Sequence, residues 1–149
     1  MRELRLRALA DAPDAFASTL ERERGLGRAG WIDWIEGWEG ATNVMFVAER
    51  DEGWIGMALG SRTGDEPEAH LYGMWVEPAW RARGVGAELV ERVLSLARSW
   101  GARSVILAVT ETNTGAAAFY ERLGFGDTGE RQPLREGSEL VVRIMHREP

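Results

Sequence analysis

The stretch WRARGVGAEL, residues 80–89, sets two arginines and two glycines directly before an apolar helical pattern. A helix entrance carries unpaired N–H groups and a positive partial charge, so it suits an anion. Glycines let a bulky anion come close to that backbone. The chemistry on offer at Arg81, Ala82, Arg83, Gly84, Val85 and Gly86 is therefore phosphate binding. A nucleoside-triphosphate loop of the G-x-x-x-x-G-K-[ST] type is excluded, because the chain has no lysine. A dinucleotide fingerprint begins well at Gly84 and Gly86, and Glu111 could imitate its ribose acid. Its third small position falls on Leu89, however, and it expects a parallel βαβ unit at the chain start that the pattern does not show. On these residues alone, a plain turn before a helix also remains open.

Composition narrows the classes. The 149 residues, 44% hydrophobic and 28% charged, suit one soluble α/β domain spanning residues 1–149. No apolar run reaches the roughly 20 residues needed to cross a bilayer. The charged, alternating opening MRELRLRALADAPDAF lacks a signal-peptide core, so a cytoplasmic protein with no membrane partner is expected. With no cysteine and two histidines, His70 and His146, no metal site is expected. The absence of lysine excludes lysine Schiff-base chemistry. A net charge of −6 argues against nucleic acid as a partner and modestly favours cationic or amine-bearing substrates.

The elements that must position the loop read as follows. Arg2 to Ala10 forms a helix with Leu4, Leu6 and Leu9 as its apolar positions, broken at Asp11 to Pro13. Phe16 to Arg24 offers another helical turn or two. WIDWIEGW places Trp31, Trp34 and Trp38 on one helical face. Asn43 to Glu49 and Trp54 to Leu59 form an antiparallel hairpin, and Glu68 to Val76 is a third strand. Arg83 to Trp100 is a long helix with Val85, Leu89, Val93, Leu96 and Trp100 inward, ended by Gly101. SVILAV reads as a central strand, and Asn113 opens a helix that Gly124 ends. Phe125 to Arg131 and Glu139 to His146 close the chain as a hairpin. This order predicts a mixed, mostly antiparallel sheet flanked by helices.

RARGVG fits R-x-x-G-x-G and resembles the acetyl-CoA loop of the GNAT family of N-acetyltransferases. The resemblance runs from about Asn43 to His146. It includes the N-x-x-A-x-x-x-Y-x-x-x-G-F ending at Asn113, Ala116, Tyr120, Gly124 and Phe125. It implies an acetyl-CoA-dependent enzyme on whose thioester a primary amine of a small molecule or peptide attacks directly. The same loop could also serve a non-catalytic acyl-CoA-binding module. The resemblance further implies that the N–H groups of Arg81 to Gly86 hold the pyrophosphate. Met74, Trp75 and Val76 would pair with the pantetheine arm from a bulged, splayed third strand. Tyr120 would protonate the departing thiolate. Asn113 would contact the arm or cap its helix. His70, four residues before the MWV segment, would take the amine's proton, with Glu77, Glu111, Asp33 and Glu36 as alternatives. Trp31, Trp34 and Asp33 would border the acceptor, with Asp14 a second acid near it. Ala108 stands where the ribosomal alanine acetyltransferases carry a glutamate, which disfavours that branch.

One departure stands out. Members of the family usually begin with a strand before the first helix, whereas this chain opens inside the helix. Asn43 to Glu49 is therefore expected to be an open sheet edge that a second copy could cover as a homodimer.

Overall fold

A computed structural model describes residues 1–51 and 53–149. Helix α1 (Arg2–Asp11) opens the chain and a 3₁₀ turn, Pro13–Ala15, follows it. Two short helices come next, α2 (Leu20–Arg24) and α3 (Arg28–Glu36). The meander β1 (Asn43–Arg50), β2 (Gly53–Arg62) and β3 (Glu68–Val76) leads through a 3₁₀ turn, Pro78–Trp80, into α4 (Val85–Ser99). Then β4 (Ser104–Thr110), α5 (Thr114–Arg122), β5 (Gly126–Pro133) and β6 (Val141–Arg147) complete it. The sheet order is β1-β2-β3-β4-β6-β5. Among the described residues only the β3–β4 pairing is parallel; the other strand pairs are antiparallel.

Helix α4 is the main packing element. Val85, Leu89, Val90, Val93, Leu94 and Ala97 form its buried stripe, which packs with Ile55, Ala58, Ala69, Leu71 and Val105 of the sheet. Leu96 and Trp100 are half-buried rather than inward, because the stripe follows the 3.6-residue period through Val90, Leu94 and Ala97 instead. Gly101, with φ +71°, ends the helix in the left-handed conformation that favours glycine.

The other face of the sheet is covered by α1. Leu4, Ala8, Leu9 and Phe16 pack on Met57 and Trp75. Here the sequence pattern misleads: Leu6 is only half-buried, while Arg5 is buried. A charge can occupy that position because an acid on α2 meets it, as described below.

Strand β1 lies at the sheet edge, and its Val47 is exposed. No strand precedes α1 among the described residues. At the opposite edge β5 is exposed along its whole length.

Candidate active site

Strands β3 and β4 pair only at Glu68, Ala69 and His70 with Ser104, Val105 and Ile106. Beyond His70 they part, so a V opens toward the C-terminal ends of both strands. The cause on β3 is a bulge. Leu59 of β2 faces Tyr72 and Met57 faces Trp75, which leaves Gly73 and Met74 opposite the single residue Ala58. Gly73 has φ +56°, and a Cβ there would lie 2.7 Å from Leu59 Cδ1. A side chain would meet both a strained backbone and an occupied core. The facing edges of residues 71–76 and 107–110 therefore make no ladder hydrogen bonds with each other.

The V leads to the loop before α4. Gly84 sits at φ +85° and Ala82, a non-glycine residue, at φ +57°. The backbone N–H groups of residues 82–87 have no protein partner among the described residues, and no side chain caps α4. A Cβ on Gly84 would meet nothing within 4 Å, so the space before it is open. Gly86 is glycine for another reason: a Cβ there would come within 2.9 Å of Met74 Cε and 3.2 Å of Phe119 Cζ. Six successive orphan donors at the start of a fifteen-residue helix fit a pyrophosphate.

The two arginines differ. Arg81 Nε donates to Val76 O at 2.9 Å, and its Nη2 bonds Asp11 Oδ2, so this side chain ties the loop to β3 and α1. Arg83 lies over the Trp80 ring, 5.2 Å from its centroid, and forms no ion pair among the described residues. It is the arginine free to approach an anion.

A cleft of about 880 Å³ occupies the V and the space beneath α2 and α3. Its wall includes Gly73 and Met74 from β3, Ala108 and Thr110 from β4, Tyr120 from α5 and Asn113 just before it. Helix α3 contributes Asp33 and Trp34, and Trp38 follows just past its end. Tyr120 is only 8% exposed, and its ring meets Phe119 and Phe125 edge-on. Burial pushes its phenol above the ordinary 10.0, so it stays protonated at neutral pH.

Other residues singled out from the sequence fall differently. Asn113 Oδ1 accepts from Ala116 N at 3.1 Å and so caps α5, while the residue also lines the cleft. Trp75 points to the α1 side, where its Nε1 donates to Asp11 at 2.8 Å; only its backbone can face the V. Val76 is buried under α4. Trp31 is buried against Trp34 and is not on the cleft wall. Trp38 lies past the end of α3 and packs against Tyr72. His70 stacks on Tyr72 with ring centroids 5.5 Å apart, outside the cleft lining. Glu77 pairs with Arg7 and Glu111 with Arg131, each at 2.6 Å.

Two charged residues of the wall escape sequence reading altogether. Arg5 and Glu23 are buried together in the cleft as an ion pair at 2.7 Å. The available signal was an arginine on the Leu4–Ala8–Leu9 face of α1. Nothing in the sequence points to a partner eighteen residues away.

A splayed parallel pair, a bulged strand and a bare helix entrance define an α/β fold with an open strand edge beside an anion-ready loop. The chain belongs to the acetyltransferase (GNAT) family, whose profile matches residues 6–125. It is 30% identical over 122 residues to an uncharacterized N-acetyltransferase of Mycobacterium tuberculosis, a match spanning 82% of this chain and 74% of that one. Nourseothricin acetyltransferase superposes with a TM-score of 0.67 at 29% identity, over 72% of this chain and 65% of that chain. A Salmonella typhimurium structure described as an acetyltransferase with its cofactor acetyl-CoA shares the fold. Its TM-score is 0.77 at 20% identity, over 99% of this chain and 85% of that one. The chain is thus an acetyltransferase that uses acetyl-CoA. None of its described helices is long and apolar enough to cross a membrane.

Proposed function

We propose that the chain moves the acetyl group of acetyl-CoA to a primary amine of a small molecule or peptide, by direct attack within the V. Tyr120 carries this reading: a buried, protonated phenol on the wall of a cleft lined by the bulged strand β3 and by β4. Acetyl-CoA when bound supplies a thioester whose carbon takes up the amine nitrogen and whose sulfur leaves. The N–H groups of residues 82–87, with Arg83 beside them, would hold the pyrophosphate. The open edge of Met74, Trp75 and Val76 would take the pantetheine arm as a further strand. A backbone N–H of that segment would stabilise charge on the carbonyl oxygen. Tyr120 Oη holds the proton that the sulfur needs. For the amine's proton the cleft wall offers Asp33, its one acid without an ion-pair partner among the described residues. His70, beside Tyr72, would act through water.

The test is thiol release from acetyl-CoA with aminoglycosides, polyamines, aryl amines, amino acids and peptides, alongside calorimetric binding of acetyl-CoA. Amine-dependent thiol release with a matching N-acetylated product is the expected result. Tight acetyl-CoA binding without amine-dependent release across the whole set would overturn the reading.

A further inference from the structure

Arg5 and Glu23 are 6% and 3% exposed, and both face the cleft. Arg5 Nε donates to Glu23 Oε2 at 2.9 Å and Nη2 to Oε1 at 2.7 Å. The third nitrogen, Nη1, has no hydrogen-bond partner among the described residues. It lies 3.7 Å from the point that a Cβ on Gly73 would occupy. The guanidinium is fixed there, with its carbon 4.6 Å from the Phe16 ring centroid and 5.5 Å from that of Trp34. A buried arginine pinned by a carboxylate and two rings cannot swing out to solvent. Its free N–H groups call for an oxygen in the cleft.

The wall carries two arginines, Arg5 and Arg22, and two acids, Glu23 and Asp33, so it is the unpaired edge of the Arg5 guanidinium that favours an anionic oxygen. Glu23 neutralises Arg5 but covers only one edge of the guanidinium. Arg22 lines the same wall and has no ion-pair partner among the described residues.

We propose that Arg5 Nη1 is the acceptor-recognition group, and that the acceptor is an α-amino acid whose carboxylate it binds. This rests on the amine-acetylating reading above. A short tether between carboxylate and amine suits this place, as in an α-amino acid. Gly73 and Met74 are neighbours in the bulge, one residue step of about 3.8 Å. The nitrogen of an α-amino acid is two bonds of roughly 1.5 Å from its carboxylate carbon. A carboxylate held beside Gly73 keeps the amine within one residue step of it, along the Gly73–Met74 stretch of the cleft wall. There the nitrogen bonds the acetyl carbon as the C–S bond breaks, the nitrogen gives up one proton and the sulfur gains one. Trp34, Trp38 and Tyr72 then face the side chain, which suits an apolar one.

The experiment compares matched acceptors on the intact protein: L-leucine, L-leucinamide and isoamylamine; L-phenylalanine, its amide and phenethylamine. Expected is a kcat/KM for the free amino acid about ten- to a hundredfold above the amide, and further above the decarboxylated amine. Amides or decarboxylated amines equal to or better than the acids would overturn the carboxylate site while leaving amine acetylation intact. No turnover of any amine would overturn both. Arg5→Gln should collapse the acid-to-amine ratio toward one, with calorimetric acetyl-CoA binding as the check of folding. A merely structural Arg5 would depress all three acceptors in proportion. Because Arg5→Gln leaves the Glu23 carboxylate buried with a weaker partner, the exposed Arg22→Ala gives a second reading. It should raise KM for the acids and leave the decarboxylated amines unchanged; an equal effect on both counts against the proposal.

Discussion

Replacing Tyr120 by phenylalanine removes one oxygen from the cleft wall and nothing else. The ring contacts to Phe119 and Phe125, with centroids 5.1 and 5.7 Å away, remain. Burial raises the pKa of the phenol, and its hydroxyl has no protein hydrogen-bond partner among the described residues. Stability should therefore hold within about 2 °C, less than a kcal/mol for a domain of this size. Losing a positioned general acid should lower kcat by about 10²–10⁴. The two readouts move apart only if the hydroxyl serves chemistry. Alkaline melts supply a further check. The folded pKa lies above the unfolded one, so stability is whole below about pH 10 and falls as pH rises past it. Tyr120→Phe should lack that share of the loss, while any share from the half-buried Tyr72 remains. The assays are thiol release at saturating acetyl-CoA, calorimetric acetyl-CoA affinity, and melts from neutral pH upward. An unchanged kcat would refute the proton-donor role. So would a fall in kcat matched by equal losses of acetyl-CoA affinity and melting temperature.

Gly84→Ala meets no atom but must hold φ +85°, so melting should show a loss of about 1–2 kcal/mol, with a several-fold rise in the acetyl-CoA Kd. Glu23→Ala leaves Arg5 charged and buried and should cost about 3–5 kcal/mol in denaturant unfolding, much of it recovered when Arg5→Met is added. Hydrogen bonds from the Arg131 side chain and the Gly129 N–H hold the Asp127 carboxyl at about 2, below its ordinary 3.8. Its contribution is present above about pH 4 and lost as pH falls through 2, so Asp127→Asn should flatten the acid limb of the stability curve. Arg83→Ala should weaken the salt dependence of acetyl-CoA binding more than Arg81→Ala does, because Arg81 is already held by Val76 and Asp11; Kd values at two ionic strengths decide this.

The sheet was legible because its signals are local. The apolar run of β4, the turn residues after β1 and the left-handed glycine after α4 each act over a few residues. The loop before α4 was legible for the same reason. The acceptor side was not. Trp31, Trp34 and Trp38 share a helical period, yet only the last two reach the cleft, since α3 ends at Glu36 and the chain turns before Trp38. Trp75 carries a chemically suggestive side chain that points away from the V, because the bulge at Gly73 resets the alternation of β3. Arg5 reads as a solvated charge between leucines until Glu23 arrives from another helix. Each of these depends on packing between elements distant in sequence, which periodicity does not encode.

What keeps the V open is a matter of physical balance, because two parallel strands with free facing edges gain hydrogen bonds by closing. The bulge turns β3 away at Gly73. The turn after α1 then fixes the width of the mouth. Asp11 accepts from Trp75 Nε1 and pairs with Arg81 at the β3 end, while Thr110 Oγ1 at the β4 end donates to Asp14 O. Four residues of chain thus strap the two strand ends at a set separation. The same strap continues into Phe16, which flanks Arg5, so the acyl opening and the acceptor wall are built on one short segment. Strand β1 lies two places from β3 and contributes no residue to the cleft wall. A strand added at its free edge would extend the sheet on the side away from the V and leave the cleft wall as it is.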